Sequence, residues 1–289
     1  MPSSRRRFLR LITGSIPFVV IGGSDGTLAR VIWTRAVDPD GVRHDRMSDQ
    51  NAPSLGSDLI RRIKAISNVF EVGRAQADYG YVEDLKDGRG FTVTQYGFCT
   101  YNDEVTTIIN EYRGFSPDTL LAQFIPLLPP LASGTDMDAL LNFPDVWRSQ
   151  IARSRQLVAV CDMVADRMFT FPALAAARAA QIYQHIGQAI FYDTWLQHGA
   201  GEDADSIWSI LARTVEETGD RNNCEEKEFL QTFLGIRREV LLNPADGQTR
   251  EGWRRSVTRV DALATLLEQN PGLISPIHVI NSEVDVVIP

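Results

Sequence analysis

Between positions 71 and 104 the sequence carries seven acids: Glu71, Asp78, Glu83, Asp84, Asp87, Asp103 and Glu104. Only three bases, Arg74, Lys86 and Arg89, stand among them, with Tyr79, Tyr81 and the turn Asp87-Gly88-Arg89-Gly90 interleaved. Two carboxyl groups in different surroundings can hydrolyse a glycosidic bond. One, protonated, donates to the leaving oxygen, and the other acts as base or nucleophile. A carboxyl beside apolar surface keeps its proton more readily than an exposed one. Glu71 fits the acid and Asp87 the base. Each also has a plainer reading, since an Asp before Gly commonly just forms a turn and acid clusters are commonly solvated surface.

These residues must be positioned by elements the pattern predicts. Ser57 caps a helix in which Leu59, Ile63, Ile66 and Phe70 make one apolar stripe. Glu71 ends it, roughly three turns after Ile60, close to the buried azimuth. Asp-Gly between two extended runs predicts a hairpin, with a strand over Phe91 to Cys99. Beyond Asn102 the chain reads as helical. Asn102 or Asp103 caps a helix bearing Val105, Ile108, Ile109 and Tyr112, and Ser116-Pro117 starts another. A long Ala-rich helix is expected from about Pro172 to His198, stopped by Gly199, with further helices near 205–217, 225–242 and 252–269. No other sheet is predicted. The expected class is mainly α (α+β), with one small β element.

The first 36 residues differ from the rest. Arg5-Arg6-Arg7-Phe8-Leu9-Arg10 precedes an apolar run from Leu11 to Gly23, the layout of an export signal of the twin-arginine kind. Residues 37–56 read as a linker. Without residues 1–36, 23 basic side chains face 36 acidic ones, a net of −13. Such a surface argues against nucleic acid and anionic membranes and suits a cationic partner. Once the signal is removed, no span of 18 apolar residues remains to cross a membrane. The four histidines are scattered without metal-ligand spacing, so neither metal nor cofactor is expected. Three cysteines, Cys99, Cys161 and Cys224, allow at most one disulfide.

Residues 70–112 resemble the chitosanases of glycoside hydrolase family 46. The likeness rests on Glu71, on Tyr79 to Asp84, on Asp87-Gly88-Arg89-Gly90-Phe91-Thr92 and on Gly97-Phe98-Cys99. A second block runs from Gln188 to Gly199 and a looser one surrounds Arg237. The resemblance implies a two-lobed, lysozyme-like catalytic domain over 57–289, with the β element beside a cleft. It implies endo-cleavage of β-1,4 bonds between glucosamine units by inversion, with Glu71 as acid, Asp87 as base and Thr92 holding the water. Tyr81, Arg89, Gly97, Glu104, His198 and Asp246 are carried over as sugar contacts. A gap of one residue would bring Asp103 to the place of Glu104. Expected with this are a chitosan or glucosamine oligosaccharide substrate, a monomer and a secreted protein.

Asp193 shares a stripe with Ile182, Ile186 and Ile190, and Arg237 one with Leu230 and Phe233. Opposite charges on core-facing stripes should meet, because a buried charge needs a partner. The resemblance adds a second arginine reaching Glu71, for which Arg250 is the candidate. Two other readings compete: a lysozyme-like hydrolase of peptidoglycan or chitin, and a non-catalytic binder of cationic glycan.

Overall fold

The structure, a computed structural model, describes residues 18–20, 29–31, 56–86, 88–128, 136–219, 221–245 and 250–289. The expected signal and linker therefore lie outside the described residues, apart from Gly56 and two short antiparallel strands, β1 (Phe18–Val20) and β2 (Ala29–Val31). The same is true of Asp87 and Asp246.

The first helix, α1 (Ser57–Val72), is as its stripe predicts. Ile63, Ile66 and Val69 are fully buried, and Leu59 and Phe70 nearly so. Ser57 is its first residue rather than its cap. The Gly56 carbonyl accepts the Leu59 N–H (2.9 Å), and no side chain caps the end. Gly73, at φ 73°, closes the helix by donating to the Val69 carbonyl. Glu71 thus stands in the last turn, buried with the stripe.

The predicted hairpin is part of a three-stranded antiparallel sheet, β3 (Val82–Asp84), β4 (Phe91–Val93) and β5 (Phe98–Cys99). Thr92 lies in the central strand, opposite Glu83 on one side and Cys99 on the other. Gly88 and Gly90 take φ of 80° and 78°, the left-handed region that an L side chain resists.

Helices fill the rest: α2 (Asp103–Arg113), α3 (Phe143–Arg153), α4 (Arg155–Ala165), α5 (Phe171–Ala179), α6 (His185–His198), α7 (Ile207–Thr218), α8 (Glu226–Leu242), α9 (Arg250–Arg255) and α10 (Val257–Gln269). The helix expected after Pro117 is a 3-10 segment, Leu120–Leu127, with Pro126 inside it. A π turn, Asp166–Thr170, joins α4 to α5.

The single Ala-rich helix is in fact two, α5 and α6. Gln181 takes φ 55°, and the Ile182 N–H reaches back to the Ala177 carbonyl (2.9 Å). That is the usual left-handed helix ending, built here on Gln instead of Gly, so no glycine marks it. Glu226 then accepts the Tyr183 and Gln184 N–H groups at 3.0 and 2.7 Å, fastening the turn ahead of α6 to the start of α8. A Cβ at Gly187 would sit 2.4 Å from Ile182 Cγ2, so the chain folds back only because that position is Gly.

A second hairpin was not expected: β6 (Ile277–Ile280) and β7 (Asp285–Ile288), antiparallel. Its turn, Asn281 to Val284, lacks the Gly that marks tight hairpins. The Asn281 side chain replaces it, accepting the Glu283 and Val284 N–H groups at 2.8 and 3.0 Å. β7 packs on α1. Cys99, Cys161 and Cys224 form no disulfide.

Candidate active site

Glu71 is held by an ion-pair chain running through four helices. Arg259 Nη2, on α10, donates to Glu71 Oε1 at 2.9 Å and to Asp193 Oδ1 at 2.7 Å, while its Nε donates to Asp193 Oδ2 at 3.1 Å. Arg237, on α8, reaches Asp193 Oδ2 at 2.7 Å and Gln197 Oε1 at 2.6 Å. Ser67, one turn before Glu71 on α1, adds its hydroxyl to Asp193 Oδ1 at 2.9 Å. All of these groups are buried. The Asp193 carboxylate is thus bonded by both guanidiniums, and a buried charge is tolerated only when it is paired in this way.

Electrostatics follow from this packing. Burial works to raise the Asp193 pKa, but Arg259 and Arg237 overcome it and hold the carboxyl down to about 2. Burial takes Arg237 down to about 10, which leaves it charged at neutral pH. Arg259 is buried as well, yet Asp193 and Glu71 together raise its pKa above the ordinary value.

The Asp193–Arg237 pair is as expected, but the second arginine is Arg259. Arg250 is exposed at the start of α9. Arg250 rests on the resemblance alone, with no apolar stripe to place it in the core. The better signal was local: Arg259 lies four and seven residues before Leu263 and Leu266, on the buried stripe of α10.

His198 is corrected too. It does not line a surface, being 1% exposed, and its Nε2 accepts from Arg237 Nε at 3.3 Å. Arginine can only donate, so Nδ1 carries the proton and donates to the Asp205 carbonyl at 2.8 Å. Trp253 packs against the ring edge to face. Burial, then the Arg237 charge, pushes the His198 pKa well below its ordinary 6.5.

These shifts predict how stability depends on pH. Both folded values are depressed, so each group stabilises fully above its unfolded pKa and loses that contribution as pH falls. For His198 the loss begins near 6.5 and runs at about 1.4 kcal/mol per pH unit. For Asp193 it falls between 3.8 and about 2. The stability difference between the parent and His198→Gln should therefore shrink as pH drops below about 6.5. Denaturant unfolding at several pH values measures it, and a difference constant from pH 7.5 to 5 would contradict a buried neutral histidine.

The sheet carries the remaining candidates. Thr92 is buried in β4. Tyr81 is half-buried, its hydroxyl donating to Glu83. The Arg89 carbonyl accepts from the Tyr101 N–H at 3.2 Å and the Cys99 thiol at 2.9 Å, which ties the backbone at Arg89 to the end of the sheet. Gly97, at φ 75°, makes the turn into β5. Glu104 folds back on its own loop, accepting from Cys99 N at 2.9 Å and Asn102 Nδ2 at 3.2 Å, and burial raises its pKa. Asp103, beside it, is exposed. Among the described residues no group of three or more His, Cys, Asp or Glu is placed to hold a metal ion.

The family model of glycosyl hydrolase family 46 matches residues 65–277. This chain belongs to that family. It is 35% identical over 237 residues to a chitosanase of Bacillus subtilis strain 168, spanning 80% of this chain and 85% of the relative. The crystal structure of native chitosanase from Bacillus subtilis MY002 matches with a TM-score of 0.74 and 35% identity, over 81% of this chain and all of that one. A Gynuella sunshinyii family 46 chitosanase, solved with chitotetraose, also gives 0.74, at 30% identity over 81% of this chain and 99% of that one. The chain is a glycosyl hydrolase with the mainly helical, lysozyme-like fold of its family.

Proposed function

We propose that this enzyme cleaves β-1,4 bonds between glucosamine units of chitosan from within the chain, inverting the anomeric centre. The observation that carries the reading is the fixed carboxyl of Glu71, buried at the end of α1 and oriented by Arg259. Glu71 is the general acid, protonating the leaving oxygen. Asp87, two residues before Arg89 in the sequence, is the base that activates water, and Thr92 helps hold that water. Relatives support the substrate: one chitosanase structure, from Bacillus subtilis MY002, is a variant complexed with 6 GlcN. The excess of acid outside the first 36 residues suits a polycation. N-acetylated glycans carry no charge to match it. Tyr81, Arg89 and Gly97 are the sugar contacts on the sheet. Asp103 is better placed than Glu104 to meet an ammonium group, because Glu104 is engaged by its own loop. The enzyme works as an exported monomer.

Reducing-end release from chitosan, chitin and peptidoglycan tests the substrate. Chitosan should be cut fastest, and faster cutting of chitin or peptidoglycan would replace this reading with the lysozyme-like one. Proton NMR of the first products tests the mechanism. Inversion of a β bond gives α anomers, so initial β anomers would remove Asp87 as the base.

A further inference from the structure

A second polar cluster, on α4, takes no part in the chemistry above. Asp162 accepts hydrogen bonds from two tyrosine hydroxyls. Tyr79 Oη lies 2.8 Å from both Oδ1 and Oδ2, and Tyr96 Oη lies 2.7 Å from Oδ1. Tyr79 stands just before β3 and Tyr96 in the turn from β4 to β5, so in sequence they flank the first two strands of the sheet. Their rings meet edge to face at 6.4 Å. One carboxylate on a helix outside the sheet thus fastens both its entry and its last turn.

Neighbouring contacts give the clamp a direction. Trp147 Nε1 and Arg148 Nη2, on α3, donate to the Tyr79 and Val82 carbonyls, both at 2.9 Å. Lys64, on α1 two turns before Glu71, pairs with Asp166 at 2.5 Å and lies 5.9 Å from the Tyr96 ring centroid. Tyr96 therefore sits where the sheet meets the helix that bears the acid. Two residues before it, Thr94 holds φ 59°, costly for a β-branched side chain. Such strain persists only where surrounding contacts over-determine it, and the Tyr96–Asp162 bond is one of them. Burial raises the pKa of both Tyr79 and Tyr96 above the ordinary 10, and Asp162 adds to it, so both hydroxyls remain donors.

We infer that Asp162 is a positioning residue for the reaction: through Tyr79 and Tyr96 it sets the sheet against α1, and so the placement of Thr92 relative to Glu71. The inference rests on the roles given to Glu71, Asp87 and Thr92 under the proposed function. A small displacement suffices, since about 1 Å of misplacement can cost on the order of 10²-fold in rate.

The test uses the whole enzyme with Tyr79→Phe, Tyr96→Phe, the double variant and Asp162→Asn. The tyrosine changes remove a hydroxyl and no charge, so they leave the electrostatics of the acid in place. Melting curves set an assay temperature at which every variant is folded. Chitosan kinetics should then show kcat reduced about five- to tenfold in each tyrosine variant, with KM within about twofold. Because both hydroxyls serve one carboxylate, the double variant should lose less than the product of the single losses. If Asp162→Asn does not fold, the tyrosine variants still decide. Lower melting temperatures with kcat within about twofold of the parent would mean a structural role only and overturn the inference. Fully multiplicative losses would overturn the shared clamp. The proposed function is judged apart from this, by whether the parent cuts chitosan and Glu71→Gln does not. A working parent and a dead Glu71→Gln, with normal tyrosine variants, would sink the clamp alone.

Discussion

Glu71→Gln should fold like the parent and lose chitosan cleavage by at least about 10²–10⁴-fold, the range that general acid catalysis supplies. Gln matches Glu in shape, and its amide oxygen can still accept from Arg259 Nη2, now 2.9 Å from Oε1. What it lacks is a proton that can pass to the leaving oxygen. Reducing-end release, read beside a melting curve, measures both. Activity within tenfold of the parent would take the acid role from Glu71. Asp87→Asn should lose a similar factor, and Thr92→Ala less.

Arg259→Ala should damage both stability and turnover. Removing one partner of a buried ion pair costs roughly 3–5 kcal/mol, because the remaining charge stays buried without compensation. Here both Asp193 and Glu71 lose a guanidinium donor. At roughly 2–4 °C per kcal/mol for a domain of this size, the melting temperature should fall by about 6–20 °C. Turnover of the folded fraction should fall too, since Glu71 loses the guanidinium that orients it. Arg237→Ala should destabilise comparably, leaving Gln197 and His198 without their donor, but cost less in turnover. Arg250→Ala, on the surface, should stay within about 0.5 kcal/mol of the parent. Thermal melts and kinetics on the three variants check the order. An Arg259→Ala variant that melts like the parent would mean the buried chain contributes little.

Much of this site could be read from periodicity. The stripe of α1 placed Glu71 at the buried end of a helix. The stripes of α6 and α8 brought Asp193 and Arg237 face to face, as the ion pair shows. Tertiary partners were harder. Ser67 and Gln197 are ordinary polar side chains whose importance lies in what they meet across the core. For His198 the resemblance implies a sugar contact, and it carries no information on burial. The side chain is instead a neutral ring wedged between Arg237 and Trp253. Two fold features were invisible for one reason: their turns use unusual residues. Gln181 does the work of a glycine between α5 and α6, and the Asn281 side chain supports the turn from β6 to β7. Asp162 gave no signal, since its role depends on tyrosines 83 and 66 residues away.

The bond from Arg259 to Glu71 spans 188 residues, and that from Arg62 to the Leu273 carbonyl spans 211. Contacts this distant in sequence form only after the entropy of closing a very long loop has been overcome. A nascent chain that ends before α10 has the carboxyl of Glu71 but not the guanidinium that aims it. Catalytic competence should therefore arrive as a late, cooperative event when the C-terminal helix and hairpin dock on α1. Emerging N-terminal fragments would be inert towards glycan.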